Sequence, residues 1–224
     1  MRPLPDIRAV FKSFSATMVL ICASGCGTTV NIHPTVLFVG DSITHEWAQS
    51  YNGQQAAFAA NNWLDVGVLG LTSKQIVGEF EEYIPPLQPK AVHIIAGTND
   101  VYAGWKLSDT SVNIQTMVAL AKARHIPVVL GTIPPWGPEA IAESADGSPQ
   151  RFDRINQLNQ WIIQFAAQQG ITVVDYHAVL AAANGENYAA GLSFDGVHPS
   201  PTGYALMTPA AERALQAVIA TPSP

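Results

Sequence analysis

Three side chains in two short segments of this sequence could together perform acyl-transfer chemistry. Ser42 stands in the run Gly40-Asp-Ser-Ile-Thr44, directly after an apolar stretch, where a serine exposed at a turn could act as a nucleophile. Asp195 and His198 are three residues apart, so that a carboxylate and an imidazole share one turn. A carboxylate that accepts from one ring nitrogen leaves the other nitrogen free to take a serine proton.

Two further segments could contribute donors to the same space. Asp65-Val-Gly-Val-Leu-Gly70 has two glycines three residues apart, which suits a tight turn or a backbone N–H that substrate approaches closely. In Gly97-Thr-Asn-Asp100, the Asn99 amide could donate a hydrogen bond. Each of the four segments also has an ordinary structural interpretation as a cap or a turn. Their occurrence together, in this order, favours an active site.

The elements around these segments predict an α/β fold. Short apolar runs rich in β-branched residues alternate with longer amphipathic stretches, which indicates parallel strands joined by helices. Right-handed crossovers then give a three-layer α/β/α sandwich, a doubly wound fold with a flavodoxin-like five-stranded parallel sheet of order 2-1-3-4-5. In that order the loops after the first three strands meet at one edge. The predicted strands are Thr35 to Val39, Trp63 to Val68, Ala91 to Ala96, Pro127 to Gly131 and Ile171 to Asp175.

Helix starts are indicated by local capping signals. Thr72 and Gln75 have the spacing of a capping box. Ser108 or Asp109 is predicted to cap the helix that ends near His125, and the last helix is predicted to start at Ser200 with Pro201 in its first turn.

With these segments in place, the sequence resembles the GDSL, or SGNH, hydrolase family, and within it the lysophospholipase L1-like esterases. The resemblance extends from about Val36 to Leu206. It implies a serine esterase that cleaves carboxylic esters, with the catalytic triad formed by Ser42, Asp195 and His198.

The resemblance also implies an oxyanion hole. Its donors would be the Ser42 backbone N–H, the Gly70 backbone N–H and the Asn99 side-chain amide. One position departs from the family pattern, because Asp65 stands where an asparagine often opens the second segment. The departure puts a hydrogen bond within that loop in doubt, and leaves the chemistry intact.

The N-terminus has the pattern of an export signal. Basic residues precede the apolar run Ala16 to Ala23, and Ala23-Ser-Gly-Cys26 resembles the motif at which bacterial lipoproteins are cleaved and lipidated. The predicted divisions are residues 1–25 as signal, 26–34 as linker, 35–220 as hydrolase domain and 221–224 as frayed tail. We expect a cell-envelope lipoprotein lipidated at Cys26, with simple cleavage and secretion, or release into the periplasm, as the alternative.

Composition limits the number of domains and the kinds of partner that the chain can have. With 224 residues, 48% of them hydrophobic and 12% charged, the chain suits one compact domain. Its net charge of −6 disfavours nucleic acid as a partner, and membrane contact is expected only through an N-terminal lipid anchor. No metal or organic cofactor is expected, and the oligomeric state is left open. Packing or surface roles are predicted for the other histidines, His33, His45, His93, His125 and His177.

The substrate is less constrained than the chemistry, since the family resemblance covers lipid esters, thioesters and acetylated sugars. Tyr102, Trp105 and Trp136 follow predicted strands and are candidates to line the pocket, or else to pin loops to the core. Residues 137–150 could cover the pocket or form a surface connection. We favour small acyl groups. A carbohydrate O-acetylesterase, or a catalytically silent envelope protein that binds a glycan or lipid, is the alternative.

Overall fold

The structure is a computed structural model that describes residues 17–21, 27–31, 33–137, 140 and 150–220. Near the N-terminus, strand β1 (Thr17–Ile21) pairs antiparallel with β2 (Gly27–Asn31). The hairpin spans part of the predicted signal and of the predicted linker. Cys26, the rest of the signal, the predicted tail and most of the segment 137–150 lie outside the described residues.

A five-stranded parallel sheet forms the centre of the domain. Its strands are β3 (Val36–Gly40), β4 (Trp63–Asp65), β5 (Ala91–Ile95), β6 (Val128–Gly131) and β7 (Thr172–Val174). Their spatial order is β4-β3-β5-β6-β7, which confirms the predicted 2-1-3-4-5 order. Strands β3, β5 and β6 are buried along their whole length, as expected when both faces of a parallel sheet are covered.

Helices cover both faces of this sheet. One layer contains α3, α5 and α6 side by side, and in the other α8 packs against β5, β6 and β7 with α7 beside it. None of the helices within the described residues is both long and apolar enough to cross a membrane. The helices are α1 (Ser42–Trp47), α2 (Gln55–Ala60), α3 (Ser73–Leu87), α4 (Thr98–Tyr102), α5 (Leu107–Lys122), α6 (Gln150–Gln169), α7 (Tyr176–Leu180) and α8 (Pro201–Ala220).

Two of the three predicted helix starts are confirmed. The capping box at Thr72 forms, and α8 begins at Pro201 with the Ser200 hydroxyl accepting from the Gly203 N–H at 3.2 Å. The predicted cap of α5 is wrong. That helix begins at Leu107, which packs against the core, so the exposed Ser108 and Asp109 already lie within its first turn.

A cluster of aromatic rings fills the core beside β3 and β5. Phe38, Trp47 and Tyr176 surround His93, whose Nε2 lies 2.8 Å from the Tyr176 hydroxyl. Burial lowers the pKa of His93 to about 3, so this imidazole is uncharged at neutral pH. His93 is therefore part of the packed core.

The helix that begins with Ser42 is tied to the C-terminal helix by buried hydrogen bonds. The Tyr204 hydroxyl donates to the Ile43 carbonyl at 2.9 Å, and the Trp47 indole N–H donates to the Thr208 hydroxyl at 2.9 Å. Buried bonds of this kind are costly to break, because each leaves a polar group without a partner. They hold α1 in one position against α8.

Candidate active site

Ser42 is the first residue of α1, immediately after the buried strand β3. Asp41 caps the helix, since its Oδ1 accepts from the Ile43 N–H at 3.0 Å. A glycine is required at position 40, because a Cβ there would stand 2.6 Å from the Ile95 carbonyl oxygen. The sharp turn leaves Ser42 8% exposed at the carboxyl edge of the sheet.

The structure brings Ser42, His198 and Asp195 into one hydrogen-bonded chain. His198 Nε2 lies 2.8 Å from Ser42 Oγ, and His198 Nδ1 lies 2.6 Å from Asp195 Oδ2. An ionised carboxylate can only accept, so Nδ1 carries the proton and the Nε2 lone pair faces the serine hydroxyl. This is the tautomer that a general base needs.

Asp195 is held in its ionised form by the turn that contains it. Its Oδ1 accepts from the backbone N–H groups of Val197, at 2.9 Å, and His198, at 2.8 Å. Partial burial would raise the pKa of the carboxyl, but the hydrogen bonds from the His198 backbone, the His198 ring and Val197 outweigh it. The pKa of Asp195 therefore lies below its ordinary value of 3.8.

Residues that the sequence analysis did not single out hold this turn in place. The Ser193 hydroxyl donates to the His198 carbonyl at 2.7 Å and accepts from the Gly196 N–H at 2.9 Å. The Tyr188 hydroxyl donates to the Val197 carbonyl at 2.8 Å. Serine is common in turns, and its position two residues before Asp195 is the one sequence signal that could have indicated Ser193.

The second candidate segment packs against the start of α1. The Val68 N–H donates to the Gly40 carbonyl at 3.1 Å. Asp65 supplies the loop hydrogen bond that its departure from the family pattern had put in doubt, because its Oδ1 accepts from the Gly67 N–H at 2.7 Å. Gly70 has a φ of +74°, a conformation that favours glycine.

The third segment is fastened to the second. The Asn99 amide, in α4, donates to the Leu71 carbonyl at 2.9 Å and retains a second N–H. Among the described residues, the N–H groups of Ser42 and Gly70 have no hydrogen-bond acceptor. The loops that carry the three predicted oxyanion donors thus meet at the start of α1.

Asp41 is a buried carboxyl beside the nucleophile. Burial raises the pKa of Asp41 to about 6, although the Ile43 N–H, the Thr98 hydroxyl and the charge of His198 each act to lower it. At neutral pH the carboxyl is therefore ionised in a buried position, where its charge lowers the free energy of unfolding.

We expect Asp41→Asn to stabilise the protein at neutral pH. Between pH 3.8 and about 6 the folded wild type binds more protons than the unfolded chain, so its stability falls as pH rises through this window. The variant lacks that loss, and its advantage should grow by about 2 kcal/mol between pH 4 and pH 7. Urea unfolding at several pH values measures this difference. Parallel stability curves for variant and wild type would contradict the prediction, and exposed Asp109→Asn is the control.

The aromatic residues predicted to line the pocket occupy different environments. Tyr102 is exposed, and its ring centroid lies 6.3 Å from that of Trp136, which is buried. Trp105 borders a cavity of about 320 Å³ between α6 and the connection that joins α4 to α5. That cavity is lined by none of the triad or predicted oxyanion residues.

Several solved structures are similar to this chain. A Bacteroides fragilis protein designated an acylhydrolase has 31% sequence identity and a TM-score of 0.75, over 82% of this chain and 87% of that one. A GDSL-like lipase from Bacteroides thetaiotaomicron has 28% identity and a TM-score of 0.71, over 87% and 93%. An acetylxylan esterase from Geobacillus stearothermophilus, at 22% identity and a TM-score of 0.63 over 80% and 93%, shares the fold.

The sequence also matches a family model. Residues 38–206 fit the model of the GDSL-like lipase/acylhydrolase family, a span that includes all four candidate segments. No curated protein sequence matches the chain significantly. The family match and the similar structures together identify the chain as a member of the GDSL-like lipase/acylhydrolase family, a hydrolase that acts on ester bonds.

Proposed function

We propose that the protein is a serine esterase that hydrolyses small acyl esters through an acyl-enzyme intermediate. Ser42 is the nucleophile, His198 the general base and acid, and Asp195 the group that orients His198. The observation that carries this proposal is the hydrogen-bonded chain from Ser42 Oγ through the imidazole to Asp195, at 2.8 and 2.6 Å.

In the first step, Ser42 Oγ forms a bond to the ester carbonyl carbon and its proton moves to His198 Nε2. The carbonyl oxygen becomes an oxyanion and accepts hydrogen bonds from the Ser42 and Gly70 N–H groups and the Asn99 amide. The intermediate then collapses, the carbon–oxygen bond to the alcohol breaks, and His198 delivers its proton to the departing alcohol oxygen. Ser42 is left acylated.

In the second step, water attacks the acyl-enzyme and gives a proton to His198 Nε2. The bond to Ser42 Oγ breaks, His198 returns the proton to that oxygen, and the carboxylic acid leaves. Asp195 stays ionised throughout, in keeping with its lowered pKa, and its charge stabilises the imidazolium that forms in both steps.

The proposal extends to small or short-chain acyl groups. The side chains of His198 and Asp195 are 23% and 40% exposed, so these two members of the triad lie close to solvent.

A second candidate function is carbohydrate O-acetylesterase activity. It is supported by the shared fold with the acetylxylan esterase of Geobacillus stearothermophilus.

Hydrolysis of p-nitrophenyl acetate, butyrate, octanoate and palmitate by wild type and Ser42→Ala tests the proposal. We expect turnover that is highest for the shortest acyl groups and absent in the variant. If neither protein differs from buffer while both are folded, a fluorophosphonate probe decides. Labelling at Ser42 keeps the hydrolase proposal, and no labelling favours a catalytically silent binding protein.

We expect Asn99→Ala to lose turnover while remaining folded. Removing one oxyanion donor costs on the order of 100- to 1,000-fold in kcat, because the charge that develops in the transition state loses a preorganised hydrogen bond. Ester hydrolysis and thermal unfolding are measured together. An unchanged kcat with a lowered Tm would instead assign Asn99 to the bond with Leu71 alone.

A further inference from the structure

The residue before Asp195 is an aromatic side chain that covers the candidate base. The Phe194 ring stacks on the His198 imidazole, with 5.6 Å between centroids and 15° between planes. Phe194 is nevertheless 60% exposed. Since one face lies on the imidazole, the opposite face and the ring edge must supply that exposed area. A large apolar face therefore stands open directly beside the triad.

A small cleft adjoins this ring on the Asp195 side of the site. Its volume is about 240 Å³, below the range typical of pockets that enclose drug-sized ligands, so it can hold only a small group. Apart from Phe194, Tyr188 and Asp195, its walls are small residues and backbone, whose carbonyl oxygens can each accept a further hydrogen bond through a second lone pair. The small residues are Gly137, Ala189, Ala190, Gly191, Ser193 and Gly196.

The proposed chemistry determines which part of the substrate lies here. His198 Nε2 must protonate the departing alcohol oxygen, so that oxygen has to come within hydrogen-bonding distance of the imidazole. The predicted oxyanion donors come from other parts of the chain, since Gly70 follows β4 and Asn99 lies in α4, after β5. The alcohol portion of the ester therefore begins beside the His198 imidazole, the ring on which Phe194 stacks.

We propose that Phe194 and the adjoining cleft bind the alcohol portion of the ester and select a ring with a flat apolar face and polar groups at its edge, the chemistry of a sugar. This inference rests on the proposed function. A ring can stack on the open face of Phe194, while hydroxyl groups at its edge meet the backbone of the cleft. A linear alkyl alcohol covers less of the aromatic face and cannot donate hydrogen bonds to the carbonyl oxygens of the cleft.

The two steps of the reaction distinguish a Phe194 that binds the alcohol from a Phe194 that only positions His198. The alcohol is present during acylation and has left before deacylation, whereas His198 acts in both steps. A contact between Phe194 and the alcohol therefore affects kcat/KM and leaves the rate of deacylation unchanged. A ring that only positioned His198 would affect both.

The experiment compares two acetate esters, a monoacetylated methyl glucoside and hexyl acetate, in the full-length protein. Phe194→Ala should lower kcat/KM for the sugar ester on the order of three- to ten-fold and change it less than about two-fold for hexyl acetate. Deacylation of the acetyl-enzyme, followed in single turnovers with p-nitrophenyl acetate, should keep its rate. Phe194→Trp should restore the sugar ester, and Phe194→Leu should not. Ile163→Ala, which removes an exposed apolar side chain from α6, is the control.

Equal losses on the two esters, or slower deacylation, would overturn the proposal and make Phe194 a positioning residue for His198. A wild type that prefers hexyl acetate would overturn the selection of a ring. If Phe194→Ala changed the preference for acyl length in the p-nitrophenyl ester series but not the preference for the alcohol, the acyl chain would lie at Phe194 and the proposal would be overturned. A wild type that cleaves no ester and is not labelled at Ser42 would instead overturn the proposed function itself.

Discussion

Asp195→Asn is expected to fold normally and to lose on the order of 10⁴-fold in kcat. An asparagine oxygen can still accept from the N–H groups of Val197 and His198, so the turn should keep its shape. Its amide group would then face His198 Nδ1 and donate to it. The imidazole proton would move to Nε2, where it points at Ser42 and prevents that nitrogen from acting as a base.

The measurement is kcat on p-nitrophenyl acetate, with thermal unfolding as the check on folding. Asp175→Asn is the matched control, because Asp175 also accepts from a backbone N–H, that of Ala178, at the start of a helix. We expect that variant to keep near wild-type turnover. A loss of less than about ten-fold in Asp195→Asn would show that another group orients His198.

Asp100→Ala is expected to lower the free energy of unfolding by on the order of 4 kcal/mol. The Asp100 side chain is fully buried and accepts from the Ser73 backbone N–H at 2.7 Å, the Ser73 hydroxyl and the Thr110 hydroxyl at 3.0 Å. Truncation leaves three donors from α3 and α5 without an acceptor. Each buried, unsatisfied donor costs about 1–3 kcal/mol.

Urea unfolding of the variant measures this loss. Asp109→Ala is the control, since among the described residues its exposed carboxyl accepts only from the neighbouring Ser108 hydroxyl, at 3.3 Å, and it should change stability by less than about 0.5 kcal/mol. If the two variants were equally stable, the Asp100 cluster would contribute little to the fold. Because Asn99 is the adjacent residue, we also expect Asp100→Ala to reduce kcat.

Much of the fold follows from local sequence. The five apolar runs appear as five strands in the predicted order, and the capping box at Thr72 forms where its spacing indicates. These features depend on side-chain period and on capping chemistry within a few residues, which a single sequence displays directly. The start of α5 was misjudged because the packing of Leu107 against the core, a tertiary contact, moves the start of the helix two or three residues toward the N-terminus.

Some features of the candidate site likewise follow from local sequence, and others follow from tertiary contacts. Asp195 and His198 share one turn, so their pairing could be inferred from a spacing of three residues. Ser42 lies 156 positions from His198, and only the resemblance and the predicted strand order brought the two together. Side chains without a characteristic motif, such as Ser193 and Phe194, escaped notice because their roles depend on what they contact.

The fold class, the strand order and the residue types available for acyl transfer can be inferred from the sequence alone, because these depend on periodicity and on short motifs. The burial of Asp41, the hydrogen bonds that Asp100 makes to two helices, and the stacking of Phe194 on His198 become apparent only in the folded molecule. Burial and electrostatic environment depend on residues that are distant in the chain, and ring contacts such as that of Phe194 depend on the path of a loop. They are properties of the packed molecule, and no local pattern of residues encodes them.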